Sequence, residues 1–316
     1  LFRSFFQAGD DGADDANPNY LGDWGILATV MPADIVAIQN LYGSNVTTRA
    51  GNTTYGSNSN VGGYLGQLFG AMFEGDTPAQ RVWLDTNMVF TVHDTGGRDT
   101  LNFSTVADQQ RVSMVAGTLS SVGGYDLNMA ISRGTVIENA IGGRSHDRIM
   151  GNDVDNWING GLGKDTLRGG QGDDTLVGGS GADRLIGGAG QDMASYYSAE
   201  GGVTVNLARE AQATGMGRDH LSGVEGVIGG RYGDRLTGNV GDNILTGKGG
   251  NDRLTGATGD DSLRGGAGRD QLQGGAGDDG LHGGAGADTF RFFAGRDVVA
   301  DFRDNVDTLA FDRALW

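Results

Sequence analysis

The sequence predicts an all-β chain, the larger part of which is a parallel β-roll. Thirteen near-copies of a nonapeptide, G-G-x-G-x-D-x-(Leu/Ile)-x, occupy residues 142–195 and 229–291. Of 316 residues, 60 are Gly and only 3 are Pro. Glycine loses the most backbone entropy on folding, so this enrichment calls for repeated tight turns with positive φ. Gly does not recur every third residue, which excludes collagen. Between residues 45 and 143, short strand-like runs alternate with Gly, Asn and Asp turns.

In chain order, residues 1–43 are irregular apart from one predicted short helix. Pro32 suits a first helical position, Ile35, Ile38 and Leu41/Tyr42 form an apolar face, and Gly43 suits the residue after the end. Residues 44–141 read as a β domain, with strands at 89–92 and 100–103. It ends in Glu138-Asn139-Ala140-Ile141-Gly142-Gly143. A similar stretch, Glu225-Gly226-Val227-Ile228-Gly229-Gly230, ends the connecting β segment 196–228. Each copy delivers the chain into a repeat array, 142–195 and 229–291, which points to an internal duplication. Residues 292–316 read as the start of a C-terminal cap.

The sixth repeat position is Asp147, Asn156, Asp165, Asp174, Asp183 and Asp192 in the first array, and Asp234, Asn243, Asp252, Asp261, Asp270, Asp279 and Asp288 in the second. Two residues later stands an apolar side chain, with Ala194 the departure. The first six positions form a turn, and the last three a short strand with the apolar residue on one face. Ser145 and Tyr232 replace the fourth-position Gly in the first repeat of each array, as terminal repeats often do.

If two nonapeptides make one coil, aspartates eighteen residues apart stack at about the 4.8 Å inter-strand spacing. Each pair then repels by roughly 1 kcal/mol in water and about 3.5 at an effective dielectric of 20. A bridging dication reverses that sign. Calcium takes 6 to 8 oxygens from carboxylates and carbonyls in flexible geometry, whereas magnesium demands a stricter octahedron. Calcium ions are therefore the predicted partner, as in the calcium-binding repeats of RTX proteins. Asn156 and Asn243 offer a neutral oxygen and are expected to bind more weakly.

The formal charge of −17, from 40 acidic and 23 basic side chains, disfavours nucleic acid and anionic membranes as partners. There is no Cys and no apolar run long enough to span a bilayer. Leu1 is not an initiator Met and no signal peptide is legible, so further residues are expected upstream.

Beyond the repeats, MPADIVAIQNLYG at 31–43, TTRAGNTTYGSNSN at 47–60, HDTGGRD at 93–99 and VIENAIGG at 136–143 resemble the C-terminal region of serralysin-type secreted metalloproteases. The resemblance implies a β-sandwich joined to a parallel β-roll and secretion by a type I apparatus. It also implies two calcium sites ahead of the roll. One would use Arg49, Gly51 and Thr53 with Asp94, Gly96 and Asp99, and the other Gly97, Asp99 and Glu138. The family's zinc motif H-E-x-x-H-x-x-G-x-x-H is absent, and His93, His146, His220 and His282 are scattered, so zinc is not expected in this chain. Arg3-Ser4-Phe5-Phe6 stands where the family has M-S-Y-F, with Arg in place of the Met and no ligating tyrosine oxygen. Residues 61–82 are longer than the family pattern and have no assigned role.

The resemblance implies a non-catalytic, calcium-folded secretion and stability module of an extracellular or cell-surface protein. A secreted structural or adhesive protein, or the accessory module of a polysaccharide-active enzyme, are the competing readings, since a fold does not fix a function.

Overall fold

The computed structural model describes residues 26–27, 51–61, 69–70, 72–74 and 88–311. The predicted helix at 32–43, Arg49 and the segment Arg3–Phe6 lie outside the described residues. No described helix is long and apolar enough to cross a membrane. The chain divides into two compact units, Leu1–Arg144 and Ser145–Trp316.

In the first unit, strands Ile26–Leu27, Met88–Val92 and Met129–Ile131 pair in parallel, and Leu119–Ser120 joins them antiparallel. A second, all-parallel ladder runs through Thr54–Gly56, Thr100–Asn102 and Asn139–Ile141. An aromatic cluster fills the interior, where Phe69 packs on Tyr55, Phe73 and Phe90, and Phe73 on Phe103, with centroids 5.4–6.3 Å apart. Such pairs contribute about 0.5–1.5 kcal/mol beyond their area. Phe69 and Phe73 belong to the 61–82 stretch, which thereby gains a packing role.

The second unit is the roll. Strands eighteen residues apart pair in parallel, with Leu167 opposite Leu185, Leu245 opposite Leu263 and Leu254 opposite Leu272. One coil is therefore two nonapeptides. Successive apolar positions, Ile149 to Leu185 in the first array and Leu236 to Phe290 in the second, are all buried, and so is Ala194. Stacked leucines make a narrow core in which truncation of one side chain costs about 2–5 kcal/mol.

One face of the roll is continuous. It runs Trp157–Asn159, Thr175–Val177, Met193–Ser195, Gly226–Ile228, Ile244–Gly249, Ser262–Ala267, Gly280–Ala285 and Val298–Val299. The opposite face is split. Its first sheet stacks Arg148–Met150, Thr166–Gln171, Arg184–Ala189 and Arg218–Ser222, and Ala211–Ala213 closes it antiparallel. Its second begins at Thr204–Asn206 and continues through Arg235–Thr237 to Thr308–Phe311. The connecting segment 196–228 therefore contributes strands to every sheet of the roll.

Glycine at the fourth repeat position is required by close stacking. Gly286 has φ +146°, and a Cβ there would lie 1.5 Å from the Gly268 carbonyl oxygen of the preceding coil. Ser145 and Tyr232 have no nonapeptide eighteen residues before them, which explains their larger side chains.

Candidate metal centre

Each sixth-position residue is built into a ladder by its backbone and by one carboxylate oxygen. The amide of Asp147 donates to Asp165 Oδ1 at 2.7 Å, that of Asp165 to Asp183 at 2.9 Å, that of Asn156 to Asp174 at 2.7 Å and that of Asp174 to Asp192 at 2.9 Å. In the second array Asp234 donates to Asp252, Asp252 to Asp270 and Asp270 to Asp288, at 2.7, 2.8 and 2.9 Å. On the other side Asn243 donates to Asp261 and Asp261 to Asp279, at 2.8 and 2.9 Å. The ladder holds every carboxylate in a fixed orientation.

The second carboxylate oxygen is left over. Oδ2 of Asp165, Asp174, Asp183, Asp192, Asp252, Asp261, Asp270, Asp279 and Asp288 is buried without a hydrogen-bond partner. A buried, unsatisfied carboxylate oxygen costs several kcal/mol unless a cation meets it. Each packs closely against the glycine at the first position of its repeat. A Cβ on Gly265 would sit 2.4 Å from Asp270 Oδ2 and 2.7 Å from the Gly283 carbonyl, and one on Gly247 would meet Asp252 Oδ2 and the Gly265 carbonyl at 2.0 and 2.7 Å. Carboxylate and carbonyl oxygens thus line the same space, a donor set suited to calcium.

Asp234, Asn156 and Asn243 differ, because the corresponding oxygen accepts an amide four residues earlier, from Gly230, Asn152 and Asn239 respectively. At these three positions that oxygen is already satisfied by the backbone.

Burial is the largest cause of raised acidity constants along the columns. It pushes Asp165 up to about 8, against the lowering amide of Asp147 and with reinforcement from the Asp183 and Asp147 carboxylates. Asp174, Asp252 and Asp261 are pushed up to about 7, and Asp183 and Asp270 to about 6, again first by burial. A carboxylate column without counter-charge is therefore held partly protonated near neutral pH.

The first unit repeats the rule. The Thr53 amide donates to Asp99 Oδ1 and the Asp99 amide to Glu138 Oε2, both at 2.7 Å. Asp99 Oδ2 is buried without a partner, and burial, with Asp94 and Glu138 nearby, pushes Asp99 up to about 6. Asp94 accepts the Tyr55 hydroxyl at 2.6 Å and the Gly96 amide at 3.1 Å. The Thr53 hydroxyl bonds the Gly51 carbonyl at 3.0 Å, and a Cβ on Gly97 (φ +123°) would lie 2.5 Å from that carbonyl oxygen. Gly51, Thr53, Asp94, Gly96, Gly97, Asp99 and Glu138 are thus brought together.

The structure adds members that the nonapeptide spacing does not mark. Asp219 accepts the Asp183 amide at 3.0 Å, and Glu225 that of Asp192 at 2.9 Å. Glu225 thereby repeats the part of Glu138, consistent with the duplicated stretch. Asp297 accepts from Asp279 at 3.3 Å and Asp307 from Asp288 at 3.0 Å, so Asp288 does not end its column. At Asp219 the first-position residue is Thr214, whose hydroxyl donates at 3.2 Å to Oδ2, the oxygen that stays without a hydrogen-bond partner at Asp183 and Asp192. The signal for this rung is Gly215-x-Gly217-x-Asp219-x-Leu221, a repeat that lacks only its first Gly.

Among the described residues no three His, Asp or Glu side chains converge into a metal-holding cluster. The histidines lie apart. His93 bonds Ser132, His146 accepts the Lys164 amide, His282 pairs with Asp301, and His220 sits on a strand opposite Arg184.

The family described as Peptidase M10 serralysin C terminal matches residues 44–312. Serralysin G of Dickeya chrysanthemi is 38% identical over 176 residues, 48% of this chain and 34% of the relative. Metallopeptidase AprA of Pseudomonas marginalis is 43% identical over 125 residues, 40% of this chain and 24% of the relative. Serralysin of Proteus mirabilis is 42% identical over 125 residues, 40% and 23% respectively. The chain thus spans about a third or less of the curated relatives it matches.

Proposed function

Because the chain belongs to the serralysin C-terminal family, we propose that it is the calcium-folded secretion and stability module of an extracellular, serralysin-like protein and is itself non-catalytic. The observation that carries this reading is the row of buried Oδ2 atoms without hydrogen-bond partners, several of them close to a glycine carbonyl of the next coil. Calcium would be held by Asp165, Asp174, Asp183 and Asp192, by Asp252, Asp261, Asp270 and Asp279, and by Asp99 with Glu138 in the first unit. It supplies the positive charge that stacked carboxylates lack.

The ladder residues orient the oxygens, and the stacked leucines exclude water on the inner side. Without the ion, like charges at strand spacing oppose closure of each coil, so binding free energy becomes folding free energy. A chain that stays open until it meets calcium can be threaded through a type I apparatus before it folds outside the cell. Small-angle scattering and circular dichroism with and without chelator test this: calcium is expected to compact the roll and raise its β signal. An unchanged radius and an unchanged spectrum after chelation would refute it.

A further inference from the structure

The two columns of the second array end differently. On one side Asp279 Oδ2 stays without a partner above Asp297, while the nearby Arg296 turns outward to Asp278. On the other, Arg303 enters the last rung. Its guanidinium lies 3.2 Å from Asp307 Oδ1, 3.3 Å from Asp307 Oδ2 and 3.5 Å from Asp288 Oδ2, and it also donates to the Gly286 carbonyl. The Arg303 amide donates to Asp307 Oδ2 at 2.9 Å, which fixes the backbone of the same turn.

These contacts are carboxylates from two successive coils plus a carbonyl of the glycine turn, the same oxygen types that lie together beside Gly247 and Gly265 in the inner coils. Both carboxylates are fully buried, at 0% and 1% side-chain exposure, whereas Arg303 is 41% exposed and reaches in from solvent. Among the described residues, no Lys, Arg or His lies within ion-pair range of Asp270 or Asp252, one and two coils earlier. A guanidinium stays charged at every relevant pH and presents a fork of donors that matches carboxylate geometry.

We propose that Arg303 is a built-in cation that closes the Asp234–Asp288 column, so that the terminal Asp288–Asp307 rung has its counter-charge without calcium. Removing the guanidinium opens that rung to an ion. The inference rests on the calcium reading of the inner rungs and adds where that reading stops. The neighbouring carboxylate of Asp301 is engaged elsewhere, by the Gly283 and Gly284 amides and by His282.

The test counts calcium bound per chain by equilibrium dialysis on the 316-residue chain. Arg303→Gln is expected to bind one ion more than wild type, while Arg296→Gln, whose partner is outside the columns, binds the same number. Asp307→Asn in the wild-type background is expected to leave the count unchanged, and it stays informative if Arg303→Gln fails to fold. An unchanged count in a folded Arg303→Gln, or the loss of one ion in Asp307→Asn, overturns the inference. A folded wild type with no bound calcium overturns the calcium reading itself, and this inference with it.

Discussion

Gly265→Ala tests the first-position glycine without replacing any carboxylate. Gly265 does not have positive φ, so alanine suits the backbone and the only obstacle is space. The added Cβ would lie 2.4 Å from Asp270 Oδ2, 2.7 Å from the Gly283 carbonyl and 2.8 Å from Asp270 Cβ, all closer than van der Waals contact allows. Overpacking of this kind costs about 1–3 kcal/mol. Loss of one ion at a calcium concentration 100-fold above its dissociation constant costs about 2.7 kcal/mol more. The expected destabilisation is therefore about 4–6 kcal/mol in saturating calcium, with one calcium fewer per chain. Gly280→Ala is the control: it lies in the next strand of the same sheet, and its Cβ would meet nothing nearer than 3.9 Å. That variant should stay within about 0.5 kcal/mol of wild type or gain slightly. Urea unfolding at fixed calcium, with an ion count, reads both. If Gly265→Ala keeps the wild-type count and stability, the oxygens packed beside Gly265 do not hold a cation.

Four further outcomes are expected. Folded-state acidity constants near 6–8 at Asp165, Asp174, Asp252, Asp261 and Asp270 stand above the ordinary 3.8, so the folded chain binds more protons than the unfolded chain between those values. The stability from protonation is full below about pH 3.8 and lost as pH rises through 6–8, so in chelator the β signal should be stronger at pH 5 than at pH 8; the opposite order would contradict the column electrostatics. Asp270 shares rungs with Asp252 and Asp288, whereas one of Asp288's rungs is closed by Arg303, so Asp270→Ala should raise the calcium midpoint more than Asp288→Ala. Double-mutant cycles should couple Asp261 to Asp279 and not to Asp270, and the reverse pattern would break the eighteen-residue coil. Ala257 holds φ +94°, a region alanine disfavours, so Ala257→Gly should stabilise the roll by roughly 0.5–1 kcal/mol in a urea titration, net of the added entropy of the unfolded chain.

Much of the roll was legible from sequence because its rules are local and periodic. The eighteen-residue register follows from a nine-residue repeat that alternates between two faces. The inward leucines and the ladder aspartates follow from two-residue alternation within each short strand. Ser145 and Tyr232 could be recognised as first repeats from the absence of a nonapeptide before them.

The tertiary structure decided what periodicity does not reach. Asp183 pairs with Asp219 across 36 residues, Asp192 with Glu225 across 33, the Val203 amide with Asp234 across 31 and Asp288 with Asp307 across 19. In the first unit Thr53 reaches Asp99 across 46 residues and Asp99 reaches Glu138 across 39. At each of these places a loop of irregular length returns the chain to the same rung, and only backbone pairing in space defines which acid completes it. Thr214 beside Asp219 and Arg303 in the last rung have the same origin. Their side chains matter through where the returning loop sets them down, a position that strand pairing and burial determine and residue spacing does not.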